Sequence, residues 1–471
     1  MSNNKIYIYL FLITTYLCIT LCGNAKQNDV YAYSNTDSIV YNEIDDYLKE
    51  ATNKAHFPAM SITIINKEDV LLSKSYGNCN STDTPFLLGS VSKSFTALCI
   101  MQLVEQGKIN LDTKISYYIS GATDGDRITI RQLLNHTSGL GEHQTLNNYR
   151  IIGKQGVHEY ANINYSLLGR IIESVSSQSY ESYVSENIFI PLNMTNSFAS
   201  LNQSIENGLI IGTQNYFGIN IETNPKYPNS NDDWISVPAG YLSASTSDLG
   251  KYLKMYLNNG QGIISKESIN KMFYENVEVS ASIPYSYGMG WTLIKEPLKE
   301  TVFRHSGLVE TGMSSIYILP ERDIAFAIAV NTNDYFVGKD MMDRIDWSVA
   351  LMLMGDKPNK ITSHEYTFRH LMYDLIYLIV LIISILPLFF MKVYKRKISD
   401  GSIIFKVTKL ILLHLFLPVF IILLSRLFFS TPLWVVKAFV PDMFFVVMIS
   451  SLLLFIGGII KSILLITNKS N

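Results

Sequence analysis

Three apolar stretches in the last quarter of the chain constrain its fold more than any other feature. They are Leu371–Met391, Leu410–Phe429 and Met443–Ile466. As helices rising about 1.5 Å per residue, each is long enough to cross about 30 Å of hydrocarbon. A buried helical domain is the alternative, and three such runs in succession argue against it. Lys392-Val-Tyr-Lys395-Arg396-Lys397 follows the first run. Short loops rich in lysine and arginine stay in the cytoplasm, so this cluster sets the first span running from outside to inside. Lys461 and Lys469 place the C-terminus inside as well. Asp374 falls near a membrane boundary, and His414 and Arg426 suit interfacial or packed positions. Three spans with so few charges do not make a transport path.

The N-terminus carries a second export signal. Ile6 to Leu21 is an apolar run behind Lys5, and Gly23-Asn24-Ala25 follows it as a small-x-small cleavage site. That pattern reads as a signal peptide over residues 1–25, with an uncleaved N-terminal anchor as the alternative. Leu21 argues against lipidation at Cys22. Either way the next domain is exported, in agreement with the loop charges. The organisation expected is therefore a signal peptide (1–25), an extracytoplasmic domain (26–355), a polar linker (356–370) that Gly355-Asp-Lys-Pro-Asn-Lys360 leads into, and the membrane helices (371–471). The lipid bilayer is one expected partner. Nucleic acid is not, because the formal net charge is −2. Cys79 and Cys99 are compatible with a disulfide in an oxidising compartment and equally with free core thiols. No cysteine or histidine spacing suits zinc, and no cofactor is expected.

Periodicity within the exported part gives a helix over Ser38–Lys54, then β-rich runs at Met60–Asn66 and Val70–Tyr76 that read as a hairpin. Thr84–Gly89 leads into a helix over Val91–Gln106, closed by Gly107. From Leu111 to Asn270 helices and loops predominate, with Ile163–Val175 and Ser247–Asn258 the clearest helices. Met289–Ile294, Val302–His305, Ser314–Leu319 and Ile324–Asn331 read as strands, and Met341–Met354 as a closing helix. Strands at both ends with helices between them predict an α/β domain. Its mixed or antiparallel sheet is flanked by helices and built from both termini, with a helical subdomain inserted.

Ser90-Val-Ser-Lys93 stands where a helix begins. A spacing of three puts Lys93 one turn from Ser90 on nearly the same face. A serine hydroxyl needs a base to become a nucleophile, and a lysine serves only when its amine is neutral, which burial favours. The helix N-terminus favours a developing anion at Ser90. Spacing alone does not decide, since Ser268-Ile-Asn-Lys271 repeats it inside a charged helix. Tyr160-Ala-Asn162 adds a phenol able to share a proton with Ser90 and Lys93, and an amide able to bind substrate or Lys93. Alone, it also reads as a loop before a helix that Asn162 or Asn164 caps. His305-Ser306-Gly307 ends a strand run. There Gly307 would let a substrate backbone lie close, and His305 would orient a substrate carbonyl or carboxylate or support Tyr160.

Taken together, these strings resemble the penicillin-binding-protein and class C β-lactamase-related serine hydrolases over about Asp45 to Met354. Leu133-Leu-Asn-His-Thr-Ser-Gly-Leu140, Tyr165-Ser-Leu-Leu-Gly169, Pro191-Leu-Asn-Met194, Pro238-Ala-Gly240 and Tyr287-Gly-Met-Gly-Trp291 extend the likeness. The resemblance implies a β-lactamase-like fold with Ser90 acylated and Lys93 and Tyr160 as the base pair. It makes Asn162 a substrate-binding residue, puts His305 and Gly307 at the Lys-Thr-Gly position, and draws a second oxyanion N–H from Leu308. Ser138 looks like a turn residue. His305 departs from the usual lysine, which turns the expectation from β-lactams toward peptides or esters. The membrane tail resembles D-stereospecific peptidases with three C-terminal spans and membrane-anchored penicillin-binding-like proteins. Their substrates would be D-residue peptides or cell-wall D-alanyl groups. A catalytically silent wall-binding or sensor protein and a β-lactamase are the competing expectations.

Overall fold

The computed structural model describes residues 37–224, 227–280, 283–295, 300–398, 401–429 and 431–467. The N-terminal apolar run, its cleavage site and Lys469 lie outside them. The chain divides into two compact units: Ala32–Gln214 with Asn220–Ser363, and His364–Asn471 with Asn215–Ile219.

The first unit is organised by an 8-stranded sheet. Its strands in chain order are β1 (Ala59–Asn66), β2 (Val70–Gly77), β3 (Val277–Ser280), β4 (Ile283–Tyr287), β5 (Thr292–Ile294), β6 (Val302–Val309), β7 (Gly312–Leu319) and β8 (Ile324–Val330). In space they run β2-β1-β8-β7-β6-β5-β4-β3, so the N-terminal hairpin adds to strands from the far end of the domain. Each neighbouring pair is antiparallel. The sheet therefore joins both ends of the domain, as the sequence pattern predicts.

Five helices flank it: α1 (Asp37–Lys54), α2 (Ser92–Glu105), α3 (Asn162–Ser176), α4 (Thr246–Leu257) and α5 (Gly338–Leu353). Strand β1 alternates Ile62 and Ile64 with Ser61 and Thr63, yet all four are buried. The polar face is satisfied by α4: the Ser61 and Thr246 hydroxyls lie 2.6 Å apart. Gly250 lets that helix approach, since a Cβ there would stand 3.0 Å from the Thr63 methyl. Helices α1 and α5 pack together, α5 also against β7. Helix α2 is buried on all sides from Ser92 to Leu103, which makes it the axis of the helical layer. Cys79 and Cys99 are both free, buried thiols.

The structure departs from the expected elements in several places, among them the strands Val277–Ser280 and Ile283–Tyr287, which the sequence pattern does not predict. The predicted strand from Met289 begins only at Thr292. Gly290, at φ +81°, instead turns the chain against α2, where a Cβ would meet the Ser94 Cα at 2.9 Å. The Val302 strand does not stop at His305 but runs on to Val309. Strands also occur in the stretch read as helix and loop, where Gly212–Tyr216 and Ile219–Thr223 form short β elements.

The second unit contains three helices long and apolar enough to cross a membrane: Ser363–Phe389, Ile403–Leu427 and Pro441–Thr467. The first begins inside the stretch read as a linker. Large apolar side chains such as Leu371, Phe405, Leu427 and Leu452 are exposed along them. In water that would be an aggregation hazard; it suits lipid. His414 is packed among the helices. Its Nδ1–H donates to the Leu454 carbonyl at 2.7 Å, and Lys461 Nζ lies 3.0 Å from its Nε2. Gly457 and Gly458 make room for the ring; a Cβ on Gly458 would lie 2.4 Å from that of His414.

Candidate active site

Ser90 lies in a short 3₁₀ turn, Gly89–Val91, that opens directly into α2. Neither the turn nor the helix has a side-chain N-cap. The first N–H groups and the helix dipole are thus left to act on Ser90. The turn is pressed against β6 by two glycines. A Cβ on Gly89, whose φ is +53°, would stand 2.4 Å from the Leu308 nitrogen, and one on Gly307 would stand 1.9 Å from the Leu88 oxygen. Ser314 of β7, opposite Gly307, donates its hydroxyl to the same Leu88 carbonyl at 2.6 Å. The missing side chain at Gly307 is therefore used by the protein's own backbone, a different reason for a glycine from room for substrate.

Lys93 is fully buried while Ser90 remains partly exposed. Its Nζ lies 3.0 Å from Ser90 Oγ, 2.8 Å from Asn162 Oδ1 and 2.6 Å from the Ala239 carbonyl. None of these partners is anionic. Burial accordingly holds the amine well below its ordinary range. A neutral amine satisfies the same three contacts: two N–H groups donate to Asn162 and Ala239, and the lone pair accepts the Ser90 O–H. Asn162 is the first residue of α3, but it does not cap it. The N-cap is Ala161, which frees the Asn162 amide for Lys93.

Tyr160 closes the group. Lys93 Nζ is 4.9 Å from the centre of its ring. Burial pushes the phenol up, and a side-chain interaction with Ser90 works the other way. Tyr160 is thus a protonated phenol beside the serine. Tyr165, a second tyrosine near Lys93, is buried and donates its hydroxyl to the Leu134 carbonyl at 2.9 Å.

His305 lies within β6 and is almost wholly buried. Its Nδ1 donates to the Ser306 carbonyl at 2.8 Å, and its Nε2 is 3.0 Å from the Tyr287 hydroxyl. Burial, the largest cause, lowers it to about 3. The ring is therefore neutral and both its nitrogens are engaged, so the site has no fixed cation at this position for a substrate carboxylate.

Ser90, Lys93, Tyr160 and Asn162 converge on one point, with Gly307 and Leu308 against the same turn. The second Ser-x-x-Lys string does not join them: Lys271 pairs with Glu267 at 2.8 Å on the surface. Ser138 is a turn residue, its hydroxyl donating to Asn164 Oδ1 at 2.6 Å. Two residues without an assigned role prove central. Tyr287 engages His305, and the His136 ring lies 4.3 Å from that of Tyr160. Both stand in the strings Leu133–Leu140 and Tyr287–Trp291, but no spacing rule links them to Ser90. Among the described residues no cluster of three or more His, Cys, Asp or Glu is placed to hold a metal.

Comparison with known proteins bears on the family and the fold. Protein flp of Staphylococcus aureus strain MRSA252 is 27% identical over 330 residues, 63% of this chain and 64% of that protein. The match thus spans just under two thirds of the relative's length. The octameric penicillin-binding protein homologue from Pyrococcus abyssi is 28% identical and superposes with a TM-score of 0.59 over 70% of this chain and 80% of its own. A D-stereospecific amidohydrolase from Streptomyces sp. superposes at 0.53 over 64% of this chain and 97% of its own; at 19% identity it shares the fold alone. The family model Beta-lactamase matches residues 44–351, and the chain belongs to this family of serine hydrolases.

Proposed function

We propose that the protein is an extracytoplasmic, membrane-anchored hydrolase that cleaves amides or esters through an acyl-enzyme on Ser90. The observation that carries this is the 3.0 Å contact between Ser90 Oγ and the amine of a fully buried lysine. In the first step the Ser90 proton passes to Lys93 as Oγ bonds to the substrate carbonyl carbon. The oxyanion lies between the N–H groups of Ser90 and Leu308. Collapse breaks the bond to the leaving group, which takes a proton from Tyr160, and Lys93 returns one to the phenol. Water then attacks the ester with the same groups as base and acid, restoring the Ser90 hydroxyl.

Substrates are peptides with D-residues or D-alanyl groups of the cell wall. The D-stereospecific activity named for the Streptomyces fold neighbour suggests this class without establishing it, and the neutral His305 favours acyl donors without a carboxylate at that subsite. The three apolar helices anchor the enzyme, with Lys392–Lys397 in the cytoplasm.

The test is covalent labelling of the full-length protein by a fluorophosphonate. Ser90→Ala should abolish it; undiminished labelling of that variant removes Ser90 from the mechanism. Paired N-acyl D- and L-residue amides then test the substrate class, with preference for the L form excluding the D-peptidase reading.

A further inference from the structure

His136 occupies a position where a glycine would be the default. The short helix Ile130–Leu134 ends at Asn135, and two bonds close it: His136 N–H to the Leu133 carbonyl at 3.3 Å and Thr137 N–H to the Gln132 carbonyl at 2.8 Å. That is a Schellman termination, with His136 at the left-handed position after the cap and φ +55°. A bulky, fully buried side chain in a left-handed conformation points to a task for the ring.

The task is visible in its contacts. His136 Nδ1 lies 3.2 Å from the Ala161 backbone nitrogen and 2.9 Å from Asn164 Nδ2. Both are donors, so Nδ1 is the acceptor and the ring proton sits on Nε2. Nε2 is buried without a hydrogen-bond partner among the described residues. The Ala161 N–H is the middle amide of Tyr160-Ala161-Asn162. The His136 carbonyl accepts from the Glu159 N–H at 2.8 Å, on the other side of Tyr160. One residue thus fixes the backbone before and after Tyr160, while its ring lies 4.3 Å from the phenol ring.

We infer that His136 is a positioning residue for the reaction: through Nδ1 it sets the Tyr160-Ala161 backbone, and so the placement of the Tyr160 phenol at Ser90. This rests on the Ser90 acyl-enzyme proposed above. His136 touches neither the nucleophile nor the substrate in this role. It holds the motif that does.

Two substitutions that suit the left-handed backbone separate this role from a merely structural one. His136→Gly keeps the helix termination and removes the acceptor. His136→Asn keeps an acceptor near Nδ1 and removes the ring. Fluorophosphonate labelling rates are compared in full-length protein, with melting curves to confirm folding. His136→Gly should slow labelling roughly 100-fold, the scale of an ångström-sized misplacement, and His136→Asn should recover to within about tenfold of the parent. In a Tyr160→Phe background His136→Gly should cost almost nothing more, because its effect runs through the phenol. A His136→Gly protein that labels like the parent overturns the inference, and so does a loss that persists undiminished without the phenol. Equal labelling of the parent and Ser90→Ala would fail the acyl-enzyme reading itself, a separate result.

Discussion

His305 and Lys93 are buried bases that the fold keeps neutral, and this links the site's chemistry to the stability of the domain. Burial lowers both groups. For His305 the folded value is about 3 against an ordinary 6.5. Between those values the unfolded chain binds a proton that the folded one does not, so stability falls as pH drops from 6.5 toward 3. At pH 5 the loss from this one group is about 2 kcal/mol. His136, lowered by its own burial, acts in the same direction. His305→Gln places a non-titrating amide where Tyr287 can still be met. The drop in melting temperature between pH 7 and pH 5 should then shrink relative to the parent, measured by intrinsic fluorescence in detergent. An equal drop in the two proteins would remove His305 as a source of acid sensitivity. The residues proposed to react are also legible from sequence, because the Ser90–Lys93 spacing is joined by the Tyr160-Ala-Asn162 and His305-Ser-Gly307 strings. The neutrality of His305 was not, since it depends on burial, which the fold of the whole domain creates around β6.

At the scale of elements, the site is a seam between the N-terminus of α2 and strand β6, and two glycines set its width. Gly307→Ala would place a Cβ 1.9 Å from the Leu88 oxygen. Neither backbone can yield without moving the Ser90 turn away from Leu308. Overpacking of this kind destabilises by about 1–3 kcal/mol. The loss of labelling should be larger than that figure suggests, because the proposed oxyanion donors lie on the two sides of the seam. A lowered melting temperature with at least tenfold slower labelling is expected, the rate scale following from misplacement of reacting groups. Parent-like labelling in a folded Gly307→Ala protein would show that the seam does not set the site. Much of this scale could be read from the chain. The β1–β2 hairpin, α2, α3 and α4 appear where hydrophobic periodicity puts them, within a residue or two at most ends. What periodicity misses is governed by distant contacts. The residues from Met289 look like the start of a strand, yet Gly290 bends there to fit Ser94. His305-Ser306-Gly307 looks like a strand end, yet pairing with β7 carries the strand through it.

For the whole molecule, the membrane unit and the catalytic unit make one argument about where the reaction takes place. The helices Ser363–Phe389, Ile403–Leu427 and Pro441–Thr467 have the length and composition of spans. An odd number of crossings puts the domain before them and the C-terminus on opposite sides. The proposed orientation keeps the basic cluster Lys392–Lys397 in the cytoplasm, because lysine and arginine in short loops resist translocation. In the proposed topology residues before Ser363 would face outside, where the proposed cell-wall acyl groups would be met. The opposite orientation would place the site among cytoplasmic peptides and would contradict the proposed substrate class. Single introduced cysteines report this directly in a background where Cys18 and Cys22 are replaced by alanine and the buried Cys79 and Cys99 react slowly. Asn207→Cys, on the exposed surface of the catalytic unit, should be labelled by a membrane-impermeant maleimide on intact cells. Lys395→Cys, also exposed, should be labelled only after permeabilisation. Reversed labelling would overturn the topology while leaving the chemistry at Ser90 standing. Labelling of both sites on intact cells would instead show that the first apolar helix does not cross.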